Sequence, residues 1–180
     1  MIVFRGGSHY DEEGEKNCMV GAVKPMKDSM KGRRVAEVAA ALLQECKKRG
    51  IAVSNLKLQK LLYYSEAWSL VLRGESFFSD PIEAWVHGPV VADVFHLYRD
   101  SRWSPIPEAK TAAAEDEEAL SHIGAVIDAY GTLSASDLER LTHSEDPWMH
   151  ARQELDPDVP SRNPIDRDAM KAFYSSRIGQ

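Results

Sequence analysis

The sequence predicts a mainly α protein, a compact single-domain bundle of about six or seven helices with one small β element around residues 81–87. Three observations carry this. Apolar residues recur at helical spacing in several separate segments. One of these segments, 55–73, is apolar on most sides, as a helix must be when neighbours surround it. Strand-like alternation is confined to 82–87.

Taken in order, the first helix is expected over Arg33–Arg49. Val35, Val38, Ala39, Leu42, Leu43 and Cys46 recur at i, i+3, i+4, i+7, i+8 and i+11 and make one apolar stripe. Lys47, Lys48 and Arg49 complement the dipole at its carboxyl end, and Gly50 suits a left-handed stop. Cys46 lies on the stripe and reads as a packing residue. The second helix is expected over Asn55–Arg73, with Ser54 as N-cap and Gly74 at its end. Gln59, Lys60, Glu66 and Arg73 mark its one narrow polar face, and Lys57 and Lys60 read as ordinary solvated charge there.

Ile82, Ala84 and Val86 then alternate with Glu83, Trp85 and His87, the pattern of a half-buried strand. Pro81 fits its start. Gly88 permits a turn, and Pro89 is placed at the first position of a helix running to Arg99. Val91, Val94, Phe95 and Tyr98 form that helix's buried stripe, and its start offers amide groups to an anion. The prolines of Trp103-Ser104-Pro105-Ile106-Pro107 allow a short extended piece that could pair beside the strand.

Further on, the acidic cluster Glu115–Glu118 opens a helix with Leu120, Ile123, Ile127 and Tyr130 on its stripe, ended by Gly131. Ser134-Ala135-Ser136-Asp137 resembles a capping box, and Leu133 and Leu138 are spaced as a hydrophobic staple. Asp146-Pro147 and Asn163-Pro164 read as two further helix starts. The last helix, Pro164–Arg177, would place Ile165, Ala169 and Phe173 on one face.

The 180 residues suggest one domain. A chain this long buries roughly 70% of the surface its unfolded form exposes, enough for one core. Residues 1–32 carry five glycines and no sustained periodicity, and read as a disordered N-terminal tail or start-site extension, with Met26 or Met30 as alternative starts. Residues 33–180 form the folded domain. Lys and Arg number 22 against 28 Asp and Glu, a net charge of −6, which argues against a general nucleic-acid partner and favours a basic one. Two cysteines, Cys18 and Cys46, make no disulfide framework and fit a reducing cytoplasm. No apolar run approaches the ~20 residues that span a bilayer, and the first residues lack a secretory pattern.

The chain has no phosphate-binding glycine loop, nucleophile elbow or zinc-protease helix. His9 falls in the tail, and His122 sits at the edge of a stripe and reads as a surface residue. His87, His96, His143 and His150 could act as ligands or bases only if the fold gathered them. Asp93 and His96 share a helix face, a spacing that can hold a metal, but nothing nearby completes a site. His87 reads as a hydrogen-bonded structural histidine. No catalytic residue, metal or cofactor is expected. The aromatic residues Tyr63, Tyr64, Trp68, Phe77, Phe78, Trp85, Trp103 and Trp148 read mostly as core, although Tyr and Trp also dominate binding hot spots.

Three stretches carry a resemblance: KLQKLLYYSEAWSLVLRGESFF, then DPIEAWVHGPVVADVFHLY, then LERLTHSEDPW. Their ordered motifs are Lys57-Leu58-Gln59-Lys60-Leu61-Leu62-Tyr63, Ile82-Glu83-Ala84-Trp85 with Gly88-Pro89-Val90, and Thr142-His143 with Pro147-Trp148. Over about Ala36–Arg152 the chain resembles the Panacea domain, the family of SocA-like antitoxins and phage-associated GepA-like proteins. A bulky or basic residue commonly precedes the family's Gly-Pro, so His87 departs mildly from the pattern.

The resemblance implies a bacterial, cytoplasmic antitoxin without enzymatic activity that binds a cognate protein toxin encoded beside it. In the SocA-like branch it further implies a proteolytic adaptor that delivers the toxin to the ClpXP protease, the toxin being a blocker of the replication sliding clamp. Candidate partner-binding or motif residues are Lys57, Gln59, Lys60, Tyr63, Tyr64, Trp68, Glu83, Trp85, His87, Gly88, Pro89, Thr142, His143, Pro147 and Trp148. Two other readings stay open. One is a DNA-binding autorepressor using Lys31–Arg34 and Lys47–Arg49. The other is a hydrolase or metal enzyme using His87, Asp93, His96 and His143.

Overall fold

The structure, a computed structural model, describes residues 33–178. The expected N-terminal tail, with Cys18 and His9, lies outside them. Seven helices occur among the described residues, with a two-stranded antiparallel sheet and one 3-10 turn. They run α1 Val35–Lys48, α2 Asn55–Leu72, β1 Glu83–Trp85, β2 Gly88–Val90, α3 Ala92–Leu97, the 3-10 turn Arg99–Ser101, α4 Glu117–Tyr130, α5 Ala135–His143, α6 Asp146–Arg152 and α7 Arg167–Ser175. The mainly α class and the small β element agree with the sequence reading.

Helix α2 is the axis of the bundle and packs against α1, α3, α4, α5, α7 and β2. Its continuous burial from Lys57 to Leu70 follows from that position. The Ser54 side chain caps it by accepting from the Lys57 amide at 3.3 Å. The α1 stripe from Val35 to Cys46 is buried in full, and burial pushes the Cys46 thiol up to about 11, the behaviour of a packing residue. Gly50 closes the connection after α1 at φ +69°. Asp116 caps α4 by accepting from Ala119 N at 2.8 Å. It also takes the Arg33 guanidinium at 2.6 and 2.9 Å, tying the start of α1 to the start of α4. Ser134 caps α5, and Leu138, the inner half of the expected staple, is fully buried.

Several expectations are corrected. The helix placed at Pro89 is a β-hairpin followed by a shorter helix. Gly88 at φ +94° reverses the chain after Val86-His87, and Ala84 pairs with Pro89 and Trp85 with Gly88. The helix α3 starts only at Ala92 and spans six residues, so no anion-binding helix start exists at Gly88-Pro89. The segment 103–107 does not pair beside β1. Pro105 bridges Ser54, and the Ile106 amide donates to the Val53 carbonyl at 2.8 Å. The outer partner of β1 is Asn163–Ile165: Ala84 N donates to Asn163 O and Ile165 N to Ile82 O, both at 2.8 Å. Because Asn163 and Pro164 are extended there, the last helix begins at Arg167 with Asp166 as its cap. Met170 and Tyr174 are its buried face.

The largest correction concerns polarity. Lys57, Gln59, Lys60 and Glu66 are all buried, none as a solvated face. His122 is also buried and donates from Nε2 to the Ser65 carbonyl at 2.8 Å. Burial drives its pKa down to about 4, so it packs as a neutral ring, tilted against Phe77 at 4.7 Å.

Candidate functional site

The β1–β2 hairpin is held from beneath by α2 and from the side by α5 and α6. Lys60 is fully buried, and its Nζ donates to the carbonyls of His87 and of Pro89, the latter at 3.1 Å. The preceding residue, Gln59, accepts through Oε1 from Val91 N at 2.9 Å, while its amide nitrogen donates to Asn55 Oδ1 at 3.0 Å. Asn55 in turn donates to the Phe95 carbonyl at 2.9 Å. The polar groups of helix α2 thus satisfy backbone carbonyls and an amide that this short hairpin cannot pair by itself. Pro89 has no N–H to donate, and its carbonyl accepts from Lys60.

Gly88 has no room for a side chain. A Cβ there would stand 2.6 Å from Lys60 Nζ and 2.9 Å from Thr142 Oγ1. The Thr142 hydroxyl itself donates to the Glu139 carbonyl at 2.9 Å. His143 stacks flat on Trp148, ring centres 4.0 Å apart, and desolvation lowers its pKa. Trp148 Nε1 donates to the Trp85 carbonyl at 3.0 Å, and Pro147 is buried at the start of α6. His87, at the turn, is solvent-exposed and donates from Nδ1 to Glu139 Oε1 at 2.7 Å. Glu83 accepts from Trp85 Nε1 at 2.6 Å.

The three sequence motifs therefore meet at one structural unit, the clamped hairpin. Gln59, Lys60, Glu83, Trp85, His87, Gly88, Pro89, Thr142, His143, Pro147 and Trp148 all belong to it. Tyr63, Tyr64 and Trp68 do not. They lie further along α2 in an aromatic core with Tyr130 and Tyr174, where Tyr64 stacks on Tyr130 at 3.8 Å and Trp68 Nε1 donates to Tyr130 Oη at 2.9 Å. Lys57 is also separate, donating to the Gly131 carbonyl at 2.7 Å.

The sequence reading missed Glu145, Arg152 and Arg167, and gave Glu66 only a place on the polar face of the second helix. Glu145 is buried, accepts from Tyr64 at 3.3 Å and Tyr174 at 2.6 Å, and burial raises its pKa to about 7. Arg152 lies over the Trp148 ring and donates to the carbonyls of Asp156, Pro157 and Val159. Only the position of Glu145 and Arg152 around the Pro147-Trp148 motif hinted at either.

Two clefts flank the hairpin tip. One is about 380 Å³ and is walled by Leu56, Trp85, Val90, Phe95 and Trp103, with Arg99 and Arg102 at its edge. The other, about 240 Å³, lies between Trp85–His87 and Pro160–Arg162. Trp103, expected as core, is 74% exposed.

Among the described residues no group of three or more His, Cys, Asp and Glu is placed to hold a metal ion. Of the basic clusters beside α1, Arg33 pairs with Asp116, Arg34 with Glu37, Lys48 with Glu45, and Arg49 with Glu45 and Asp128. Such pairing leaves little excess charge to displace counterions from a phosphate backbone. No helix among the described residues is long and apolar enough to cross a membrane.

A buried lysine held only by carbonyls has a measurable consequence. Its ordinary pKa of 10.5 falls to about 7 because burial penalises the charged form. Between these values the unfolded chain binds the extra proton. This group therefore adds stability as pH rises from about 7 to about 10.5, and that contribution is lost as pH falls through about 7. Lys57, also lowered by burial, acts in the same direction, and the Cys46 thiol acts against it at higher pH. Comparison with Lys60→Met isolates the one group. Urea unfolding at about pH 7 and about pH 9 should show the wild type gaining about 2 kcal/mol on the variant, at roughly 1.4 kcal/mol per unit. A pH-independent difference would mean that Lys60 is charged throughout.

Fold and site together define a helical domain in which buried polar side chains of α2 hold a short β-hairpin. The family model for the SocA-like antitoxin, Panacea domain, matches residues 58–149, a span that contains the hairpin and its clamps, and the chain belongs to that family. It is 30% identical over 124 residues to Antitoxin SocA of Caulobacter vibrioides, an alignment covering 62% of this chain and 66% of the relative. No solved structure matches the chain. Family membership supports an antitoxin role.

Proposed function

We propose that this protein neutralises a cognate protein toxin by binding it directly, that it does so without enzymatic activity, and that the clamped hairpin with its flanking clefts is the binding region. The observation that supports this most is the coincidence of the family match over 58–149 with the residues that build the hairpin. Buried Lys60, Gln59, Thr142 and Trp148 act as scaffold, while His87 and Trp85 at the tip are available for contact.

In the finer reading the protein is a cytoplasmic proteolytic adaptor in a bacterium. Residues 33–180 form the toxin-binding domain. The toxin blocks the replication sliding clamp, and the adaptor hands it to the ClpXP protease. Residues 1–32 or the last residues, 175–180, tether the complex there. Tethering would raise the toxin's effective concentration at the protease without further contacts.

The test has two parts. The full chain and the product of the adjacent gene should form a stoichiometric complex at micromolar concentration; no complex would overturn toxin binding. The toxin's half-life should shorten when this protein is present, and only in cells that hold ClpXP. A half-life unchanged by the protease, with growth still protected, would leave sequestration as the mechanism. Truncation of either end with degradation unchanged would remove that end as the tether.

A further inference from the structure

We propose that the cleft beside the hairpin binds a short acidic segment of the protein partner, anchored by one large apolar side chain; this rests on the toxin-binding reading above. The floor and walls are apolar or aromatic. Trp85 and Phe95 meet edge to face at 5.0 Å, and Val90 and Leu56 complete the lining. Trp103 stands over the cleft with its ring centre 6.2 Å from that of His87 and perpendicular to it. At about 380 Å³ the space lies at the small end of pockets that enclose a small molecule, roughly 300–1,000 Å³. That suits an anchoring side chain and not a whole domain face.

Two features point to a binding use. Trp103 is the most exposed large apolar side chain among the described residues, a placement that burial in the core would have avoided. The residue before it, Arg102, sits at φ +50° and ψ −117°, a positive-φ conformation uncommon for a side chain of this size. Backbone held in such a region occurs at ligand clamps, where the surroundings enforce it.

Charge selects the occupant. Arg99 and Arg102 line the cleft, and no Asp or Glu is among the described residues that do, in a chain where carboxylates outnumber Lys and Arg 28 to 22; His87, also on the lining, is already bound to Glu139. Asp100 lies 3.8 Å from Arg99, but both side chains are well solvated, and such a pair is weak. An arginine edge beside tryptophan walls has the composition of a binding hot spot, and its charge steers a carboxylate-bearing segment toward it. Single-stranded nucleic acid fits less well. It needs a basic track as well as stacking rings, whereas here two arginines border one cleft and nearby Lys110 is paired with Asp100.

The test is titration of the full chain with the product of the adjacent gene, and with peptides tiled over that product's sequence. Trp103→Ala should weaken the full-length complex about tenfold or more. Because the side chain is exposed, its melting temperature should match the wild type. A second variant, Arg99→Glu with Arg102→Glu, should weaken binding strongly at low salt and much less at high salt. The peptide that binds should carry both carboxylates and a large apolar residue. Wild-type affinity in both variants overturns the cleft while leaving toxin binding intact. A competing peptide that is basic, or displacement of the partner by oligothymidine, also overturns it. Failure of the wild-type chain to bind the neighbouring product overturns the cleft and toxin binding together.

Discussion

Replacing Gly88 with alanine is expected to lower stability by roughly 3–4 kcal/mol. Two effects add. A left-handed residue with a Cβ costs about 1–2 kcal/mol, and Gly88 is at φ +94°. The new methyl group would also overlap Lys60 Nζ and Thr142 Oγ1. Lys60 is the end of a flexible chain, but it is fully buried and cannot step aside without leaving the His87 and Pro89 carbonyls. A typical buried hydrogen bond is worth about 0.5–1.5 kcal/mol. Gly50→Ala is the matched control, because Gly50 has φ +69° but nothing within 4 Å of the added carbon. Urea titration should show a loss of only about 1 kcal/mol there. Equal losses at the two glycines would mean that the contact with Lys60 contributes nothing.

Glu66→Ala is expected to cost a further large amount, about 3 kcal/mol, and to loosen α7. The Glu66 carboxylate is fully buried. It accepts from the Phe77 and Phe78 amides at 2.8 and 3.2 Å and from Arg167 Nε at 2.6 Å. Removal strands two buried amides and one side of a guanidinium, and breaking a buried pair by deleting one partner costs about 3–5 kcal/mol. The Arg167 side chain keeps about a third of its exposure and retains the Phe78 and Asp80 carbonyls, which places the loss at the lower end. Hydrogen exchange should show the amides of Phe77 and Phe78 losing protection together with α7. Protection lost only at the loop would show that α7 docks through its apolar face alone.

These two sites also show where sequence reading succeeds and where it stops. The α1 stripe from Val35 to Cys46, the Ser54 and Ser134 caps and the Gly50 stop were legible because each is a local rule: periodicity, an N–H to be capped, a φ that favours glycine. The motif residues around Gly88 were recognisable as a group, but their roles were not. Lys57 and Lys60 read as solvated charge because a lysine is buried only when distant backbone carbonyls receive it, and His87 and Pro89 lie 27 and 29 residues away from Lys60. His122 was misjudged for the same reason, since the carbonyl that accepts its N–H is on another helix. Gly88-Pro89 read as a helix start because a proline after a turn satisfies that rule equally well. The choice in favour of a strand came from the carbonyl contact with Lys60 and from Asn163–Ile165 on the other side of β1.

Periodicity and end signals alone were enough to establish a helical bundle around 55–73, with one β element near 82–87, and the family resemblance followed from the order of three motifs. Tertiary structure decided which polar residues are interior, which strand pairs with which, and that Trp103 is outside while Glu66 is inside. The division has a physical basis. Stripes, caps and turns depend on neighbours within about one helical turn, whereas burial of a charge is stable only with a partner supplied by a distant segment.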